Sequence, residues 1–149
     1  MSELFHNTVA CIVERDGHFL TVEETVDGKR VFNQPAGHLE PGESLIEAAV
    51  RETLEETGWH VEPSALVGIY QYSPAGSELQ FIRHCFAARP LKQEAWRELD
   101  AEIIRAVWMN PDELRRYRRR LRSPMVLGCI EDYLAGNHAS LSLFRTVSS

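Results

Sequence analysis

The segment 37–59 constrains the fold of this chain more than any other part of the sequence, because it carries clear signals for the start and the end of a helix. Ser44 is a suitable N-cap, since Glu47 follows it at the capping-box spacing. Gly58 can adopt the left-handed conformation that commonly terminates a helix. We therefore predict a helix that begins after Ser44 and ends at about Thr57.

Three glutamates of this helix share one face. Glu52, Glu55 and Glu56 have the spacing i, i+3 and i+4, so they fall within about 100° of one another around the helix axis. Ala48 and Ala49 lie near this acidic stripe, and we expect these small residues to leave room for ions and substrate. The apolar face is predicted to consist of Ile46, Val50, Thr53, Leu54 and Thr57.

Like charges on one helix stripe repel one another by about a few tenths of a kcal/mol per pair unless a cation compensates them. Carboxylate oxygens favour a hard cation, and the sequence has neither Cys nor His at the spacing that softer metals need. We therefore interpret the stripe as a site for Mg²⁺ or Mn²⁺. A solvated acidic face is the alternative interpretation.

The same segment matches the Nudix box, which reads Gly, five residues, Glu, seven residues, Arg-Glu, an aliphatic residue, any residue, Glu-Glu, any residue, Gly and an aliphatic residue. The matching residues are Gly37, Glu43, Arg51, Glu52, Glu55, Glu56 and Gly58. Thr53 and Trp59 occupy the two aliphatic positions, which is a departure from the pattern. The chain thus resembles the Nudix hydrolases, and the resemblance implies an α/β fold in which a mixed β-sheet lies within an α/β/α sandwich.

The resemblance also implies roles for the residues of the box. Glu52 and Glu56 would be the primary metal ligands, and Glu55 a further one. The carbonyl group of Gly37 would be a backbone ligand. Arg51 would orient a carboxylate, and its partner would be Glu43 or Glu52.

Glu102 matches a downstream acid that many Nudix enzymes use as a further ligand or as a base, whereas the alternative is an exposed acid at a strand edge. The glutamate that accepts the proton of the attacking water differs among Nudix members, so the general base stays open.

The entry into the box, from Gln34 to His38, reads Gln-Pro-Ala-Gly-His and departs from the Pro-Gly-Gly of many Nudix proteins. NudJ-type phosphatases share this departure, and weaker similarities to them extend over most of the chain. The resemblance implies Mg²⁺-dependent release of orthophosphate from nucleoside tri- and diphosphates. Hydroxymethylpyrimidine and thiamine diphosphates are further substrates that it suggests.

Two alternatives remain open. One is a Nudix pyrophosphohydrolase that acts on oxidised nucleotides, ADP-ribose or dinucleotides. The other is a non-catalytic Nudix module that senses a nucleotide. Such modules typically lose acids from the box, and this chain keeps all of them, which favours an enzyme.

Four residues outside the helix are candidates for substrate binding. Arg83 is expected on a strand face with apolar neighbours, where a buried cation needs either a phosphate or a structural ion pair. Gln34 and Tyr72 are candidates for binding or stacking a base, with packing in the core as the alternative. His38 follows the first glycine of the box and is within reach of substrate, unless it is simply an exposed loop residue.

Composition limits the class of protein. The length of 149 residues fits a single domain over residues 1–149. The net charge of −6 argues against binding to a nucleic-acid backbone. We expect a small-molecule nucleotide or diphosphate as the partner, no membrane, and either a monomer or a homodimer.

The cysteines predict a cytoplasmic location. Cys11, Cys85 and Cys129 are odd in number, far apart and surrounded by apolar residues, which favours buried thiols in a reducing compartment over disulfides. Residues 1–6 show no basic segment followed by an apolar run, and no apolar run approaches the length of a membrane span, so we expect a cytoplasmic protein.

Strand signals surround the box helix on both sides. The predicted strands are 8–13, 18–24, 31–34, 65–72, 79–87 and 103–109, and Asp16-Gly17 predicts a tight hairpin between the first two. Two further helices are predicted, one after the cap Asn110 and one that begins at Ser123-Pro124 and ends near Gly136. The segment 115–122 contains six arginines. We interpret it as a solvated helix end, with a polyphosphate or RNA contact as the alternative.

Overall fold

A computed structural model describes residues 2–148 of the chain. Within that range we find no helix with the length and apolarity that crossing a lipid bilayer requires. The strands are β1 (Phe5–Arg15), β2 (His18–Val26), β3 (Lys29–Asn33), β4 (Ala36–His38), β5 (Trp59–Tyr72), β6 (Gln80–Gln93) and β7 (Ile103–Met109). The α-helices are α1 (Leu45–Thr57), α2 (Pro111–Arg116) and α3 (Met125–Leu134).

The strands form one mixed sheet with the order β3-β2-β1-β6-β5, while β4 also pairs with β1 and β7 also pairs with β2. The central strands β1 and β6 are parallel and join residues 5–13 to residues 80–88. The other pairs are antiparallel. The predicted hairpin is confirmed, because Asp16 and Gly17 have φ angles of 52° and 77° and connect β1 directly to β2.

The sheet has a hydrophobic core on each face because side chains alternate along its central strand. Val9 and Cys11 of β1 pack in the cluster that contains α1, whereas Ala10 and Ile12 pack in the cluster that contains α2 and α3. Helices therefore cover both faces of the sheet, as the predicted α/β/α sandwich requires.

The predicted limits of α1 are confirmed. The Ser44 hydroxyl accepts a hydrogen bond from the Glu47 amide at 3.0 Å, and the Ser44 amide donates to the Glu47 carboxylate at 2.8 Å. Gly58 ends the helix with φ 78° and donates its N–H to the Leu54 carbonyl at 2.9 Å. The helix thus begins and ends where its sequence signals place it.

The two departures from the box pattern are accommodated locally. Thr53 is fully buried, and its hydroxyl donates to the Ala49 carbonyl at 2.8 Å, so no polar group is left without a partner. Trp59 packs edge-on against Trp108 with ring centroids 5.7 Å apart. Arg15 lies over the Trp108 ring at 4.2 Å and completes this cluster.

The expectation that Ala48 and Ala49 leave space for ions is wrong. Both residues are at most 1% exposed and pack in the core between α1 and the sheet. Their small size lets the helix approach the sheet closely, and this close approach is what places the neighbouring glutamates against the strands.

The strand boundaries differ from the prediction mainly in β5 and β6. β5 begins at Trp59 rather than at residue 65, and its pairing with β6 shifts register at several points, one of them beside Pro63. These irregularities break the alternation of apolar and polar residues on which the prediction relied. The short strand β4 was not predicted, since three residues carry no recognisable pattern.

Candidate active site

β4 and α1 meet at the first glycine of the acidic segment. A Cβ atom added to Gly37 would lie 2.1 Å from the carboxylate carbon of Glu52, so only glycine permits this approach. One residue earlier, the Ala36 amide donates to the Glu56 carboxylate at 2.9 Å. The pairing of β4 with β1 thus fixes the backbone of residues 36 and 37 against two acids of the helix.

Arg51 holds the acids of the loop and the helix together. Its Nε and Nη2 atoms donate to the two oxygens of Glu43 at 2.9 and 2.7 Å. Its Nη1 atom donates to Glu52 at 2.8 Å and to Glu55 at 2.9 Å, and Nη2 also donates to the His38 carbonyl at 3.0 Å. The hydrogen bonds to Glu43, followed by those to Glu52, raise the pKa of Arg51 further above its already high value. The sequence did not decide between Glu43 and Glu52 as the partner of Arg51, and both residues contact it.

Two acids from the loop before β7 join the glutamates of α1. Carboxylate oxygens of Glu52, Glu55 and Asp100 lie within 4.8 Å of one another, and so do those of Glu56, Asp100 and Glu102. Asp100 is fixed by its amide, which donates to the Glu55 carbonyl at 3.2 Å. The Glu102 carbonyl accepts from the amide of Thr25 in β2 at 3.0 Å. The five acids therefore form one cluster, which is built only of hard oxygen donors and matches what a divalent cation prefers.

Burial perturbs the acids of this cluster. Glu56 is 6% exposed, and desolvation raises its pKa to about 9, although the hydrogen bond from the Ala36 amide opposes the shift. Desolvation also raises the pKa of Glu52, against the lowering effect of Arg51, and that of Asp100. Carboxylates with raised pKa values in a cleft are a mark of functional sites. A bound cation would supply the compensating charge that these groups lack.

Four acids of the cluster, all except Glu55, line a cavity of about 680 Å³. The acidic residues of its lining are Glu24, Asp27, Glu40, Glu52, Glu56, Asp100 and Glu102. Apolar and aromatic side chains also line it, namely Val26, Tyr72, Pro74, Leu79, Phe81 and Met125. A lining of both kinds suits a molecule that combines a charged group with a flat or apolar one.

Arg83 lies on the same cavity wall and is 4% exposed. Its Nη1 atom donates to Gln34 at 2.7 Å, and its Nη2 atom donates to Asn33 at 3.1 Å. Among the residues that the structure describes, its Nε atom has no hydrogen-bond partner. The suggested structural ion pair is wrong, because within residues 2–148 no carboxylate pairs with Arg83, which donates to these two amides and, over 4.0 Å, to the sulfur of Cys129. A buried guanidinium without a counter-charge favours an anionic ligand.

A family model described as NUDIX domain matches residues 4–127 of the chain. The chain belongs to the Nudix family. Phosphatase NudJ of Escherichia coli K12 is 39% identical over 138 residues, which are 93% of this chain and 89% of that protein. Phosphatase NudJ of Shigella sonnei matches with the same identity and shares.

Solved structures of Nudix proteins agree with this assignment. A Nudix hydrolase from Nitrosomonas europaea is 42% identical, covers 95% of this chain and 97% of its own, and has a TM-score of 0.93. The solution structure of the E. coli ORF135 protein is 27% identical, with shares of 90% and 91% and a TM-score of 0.67. The predicted Nudix fold, the similarity to NudJ-type phosphatases and the assignment to hydrolases of phosphorus-containing anhydrides are confirmed.

The other predicted substrate residues of this Nudix protein differ in their placement. His38 and Tyr72 line the cavity. His38 is hydrogen-bonded to His6 over 2.8 Å between ring nitrogens, and burial followed by the charge of His6 lowers its pKa. Gln34 is not among the residues that line the cavity; it is 3% exposed and uses its side chain between Arg83 and the Val126 carbonyl. We therefore correct its predicted contact with substrate to a supporting role beneath Arg83.

The arginine-rich segment is only partly the solvated helix end that the sequence indicated. α2 ends at Arg116, and the chain then turns back towards β3. Arg120 donates to the buried Glu23 at 2.7 Å and lies over the Phe32 ring at 4.8 Å. Arg122 donates to the buried Glu24 at 2.6 Å. These contacts tie the end of the segment to the edge of the active-site cavity.

Sequence reasoning did not assign Asp100 and Glu24 to the site. Asp100 belongs to an acidic stretch with Glu98 and Glu102, and three acids before a strand were a usable signal. Glu24 follows Glu23 inside a strand that is mostly buried, and adjacent acids in a buried strand require partners. Both signals are visible in the sequence once a nearby acidic cluster is suspected.

Proposed function

We propose that this Nudix hydrolase is a Mg²⁺-dependent phosphatase that releases orthophosphate from nucleoside tri- and diphosphates. Hydroxymethylpyrimidine and thiamine diphosphates are further proposed substrates, in keeping with the resemblance to NudJ-type phosphatases. The observation that carries the proposal is the five-acid cluster, whose carboxylate oxygens lie within 4.8 Å of one another in two overlapping groups. Mn²⁺ is the alternative cation, since it accepts the same oxygen ligands.

Each acid of the cluster has a proposed role. Glu52 and Glu56 are the primary ligands, with Glu55 and the Gly37 carbonyl as further ones, and Arg51 fixes the orientation of the carboxylates. Asp100 and Glu102 extend the ligand set from the loop before β7. The cation, when bound, neutralises phosphate oxygens and lowers the pKa of a water that attacks phosphorus.

The protein groups prepare that attack. Glu56 has a raised pKa, and as a metal ligand it would have to be deprotonated. Arg51 aligns Glu52 and Glu55 through hydrogen bonds of 2.8 and 2.9 Å. We assign the acceptance of the water proton to a carboxylate of the Glu43, Glu55 and Glu102 set rather than to one residue.

The apolar and aromatic side chains of the cavity hold the leaving group in this proposal. Tyr72 and Phe81 are suited to pack against a base, because aromatic faces accept flat rings. Arg83 supplies positive charge to the cavity wall, and His38 stands at its rim. We propose that residues 1–149 act as one domain on small molecules, as a cytoplasmic monomer or homodimer.

A screen of phosphate release tests the function. Wild-type protein is incubated with nucleoside tri- and diphosphates and with thiamine-pathway diphosphates, with Mg²⁺ and with chelator. Orthophosphate as the product supports the proposal. Pyrophosphate or a pair of mononucleotides would support the pyrophosphohydrolase alternative, and tight binding without turnover at any metal concentration would support the sensing module.

A further inference from the structure

The arginines of the segment 115–122 divide into three groups by their contacts. Arg115, Arg116 and Arg119 are exposed and line neither of the two cavities described here. Arg120 is held by Glu23 and by the Phe32 ring. The remaining two, Arg118 and Arg122, line a second cavity. This difference shows that the segment is not one uniform basic surface.

The second cavity adjoins the first and has a volume of about 550 Å³. Tyr72, Arg122 and Ser123 belong to the walls of both, so Arg122 stands at their junction. The other residues of the second cavity are Arg118, Leu121, Pro124, Leu127, Gly128 and Glu131. In contrast to the acidic first cavity, this one combines two arginines with apolar side chains and a single acid.

Arg122 has a rigid base and an accessible side chain. Its amide donates to the Phe32 carbonyl of β3 at 2.8 Å, which fixes its backbone against the sheet. Its guanidinium donates from Nη1 to Glu24 and is 42% exposed. Further donors of the guanidinium are therefore free to bind an anion, and a guanidinium matches phosphate geometry well.

Arg118 forms no salt bridge within residues 2–148, although other arginines of the same segment do. The neighbouring α3 begins at Met125, so the positive end of its dipole lies beside Ser123 at the junction. Two arginines and this helix end therefore bring positive charge to the place where the second cavity adjoins the acid-lined first cavity.

We propose that Arg118 and Arg122 form a subsite for the phosphate that stays on the leaving group of an anhydride substrate. The inference rests on the proposed function, in which the terminal phosphorus lies at the acid cluster. A carboxylate of the Glu43, Glu55 and Glu102 set takes the proton of the water, and the water oxygen forms a bond to that phosphorus. The bond to the bridging oxygen breaks, and the bridging oxygen keeps the electron pair and leaves with the rest of the substrate. The remaining phosphate of that leaving group meets the arginines at the junction.

The subsite has a consequence for specificity. Nucleoside tri- and diphosphates and organic diphosphates all carry a phosphate next to the reacting one, whereas simple phosphate monoesters do not. Arg118 and Arg122 therefore distinguish anhydrides from monoesters, while the acid cluster alone recognises a terminal phosphate in either.

Two adjacent arginines provide a matched test. Arg118→Gln removes a side chain of the second cavity, and Arg119→Gln removes an exposed neighbour that lines neither cavity. The probes are α,β-methylene-ADP, which carries two phosphates and resists cleavage, and orthophosphate, which fills only the terminal position. Binding is measured by calorimetry in Mg²⁺, and KM and kcat are measured with a nucleoside diphosphate.

Arg118→Gln is expected to weaken binding of the methylene analogue by about three- to tenfold, because a charge-assisted contact at an exposed site is lost. Orthophosphate binding and kcat should change by less than about twofold, and Arg119→Gln should leave all values unchanged. Arg122→Lys keeps a cation beside Glu24 but loses the planar guanidinium group. It should therefore also weaken binding of the analogue more than binding of orthophosphate.

The subsite would be overturned if Arg118→Gln and Arg119→Gln changed the binding of the analogue equally. It would also be overturned if Arg118→Gln lost as much affinity for orthophosphate as for the analogue, or if the wild-type protein failed to bind the analogue. The proposed function fails separately, if wild-type protein binds the analogue through Arg118 but releases no phosphate from any substrate. If Arg118→Gln turns over substrate and binds the analogue with unchanged affinity, the subsite is refuted but the proposed function is not.

Discussion

Replacement of Glu56 by glutamine is expected to stabilise the metal-free protein while it removes activity. Glu56 is buried, and its pKa is raised from 4.5 to about 9, first by desolvation and then by the negative charges of Glu24 and Glu52. Glutamine keeps an oxygen that can accept the Ala36 amide, which lies 2.9 Å from the present carboxylate. The substitution therefore removes a buried group that must take up a proton when the chain folds at neutral pH, without removing its hydrogen bond.

The size of the effect follows from the two pKa values of Glu56. The folded state holds the proton of Glu56 more tightly than the unfolded chain does. Below the unfolded pKa of 4.5 both states are protonated, and Glu56 does not lower the free energy of unfolding. As the pH rises from 4.5 towards 9, Glu56 lowers the free energy of unfolding increasingly. Each pKa unit corresponds to 1.36 kcal/mol. The wild-type protein should lose about 1 kcal/mol at pH 5 and about 3 kcal/mol at pH 7, whereas the glutamine variant loses neither.

Urea denaturation followed by tryptophan fluorescence measures this difference. Wild type and Glu56→Gln are compared in chelator at pH 5, 6, 7 and 8, and the midpoints are converted with a common m-value. Glu98→Gln serves as the control, because Glu98 is exposed and lies outside the acid cluster. The gap between wild type and Glu56→Gln should widen with pH, and the control should show no such trend.

A gap that stays constant with pH, or a variant that is less stable than wild type at pH 7, would refute the reasoning. The addition of Mg²⁺ provides a second readout. It should stabilise wild type and not the variant, because a cation that binds only the folded state raises stability by mass action. The kcat/KM of Glu56→Gln should fall by orders of magnitude if Glu56 is a metal ligand.

Three further predictions concern the box. Gly37→Ala should abolish tight Mn²⁺ binding, measured by calorimetry, with an unchanged circular dichroism spectrum, because the new Cβ would lie 2.1 Å from the Glu52 carboxylate carbon; wild-type affinity would contradict this. Arg51→Lys should lower kcat by about tenfold or more, since lysine cannot replace the paired hydrogen bonds to Glu43. An unchanged kcat would show that Arg51 does not orient the carboxylates for catalysis. Ser44→Ala should lower the free energy of unfolding by about 1 kcal/mol with unchanged turnover, because it removes only a helix cap; a loss of turnover in the folded variant would speak against this.

The local parts of the structure were predictable from the sequence because local interactions determine them. The capping box at Ser44 and the left-handed Gly58 fixed the limits of α1, and the Asp16-Gly17 turn fixed the first hairpin. The spacing of the acids placed three of them on one helix face. Such signals act within a few residues, where geometry leaves few alternatives.

The parts that were missed depend on contacts between distant segments. Asp100 reaches the acid cluster because its amide bonds to the Glu55 carbonyl, which no local pattern reveals. Gln34 turned away from the cavity because Arg83 and the Val126 carbonyl occupy its side chain. In both cases the tertiary partner, rather than the residue type, decides where the side chain points.

The parallel pairing of β1 with β6 has a consequence for how the active site assembles. Because residues 5–13 pair with residues 80–88, the segment between them, which includes α1, must be enclosed as a long loop before the centre of the sheet forms. Closing a long loop costs entropy, and non-local pairings slow folding. Asp100 and Glu102 follow β6 in the chain, so a growing polypeptide contains an incomplete acid cluster until they have been synthesised. Recovery of activity during refolding should therefore report the last step of folding rather than the first.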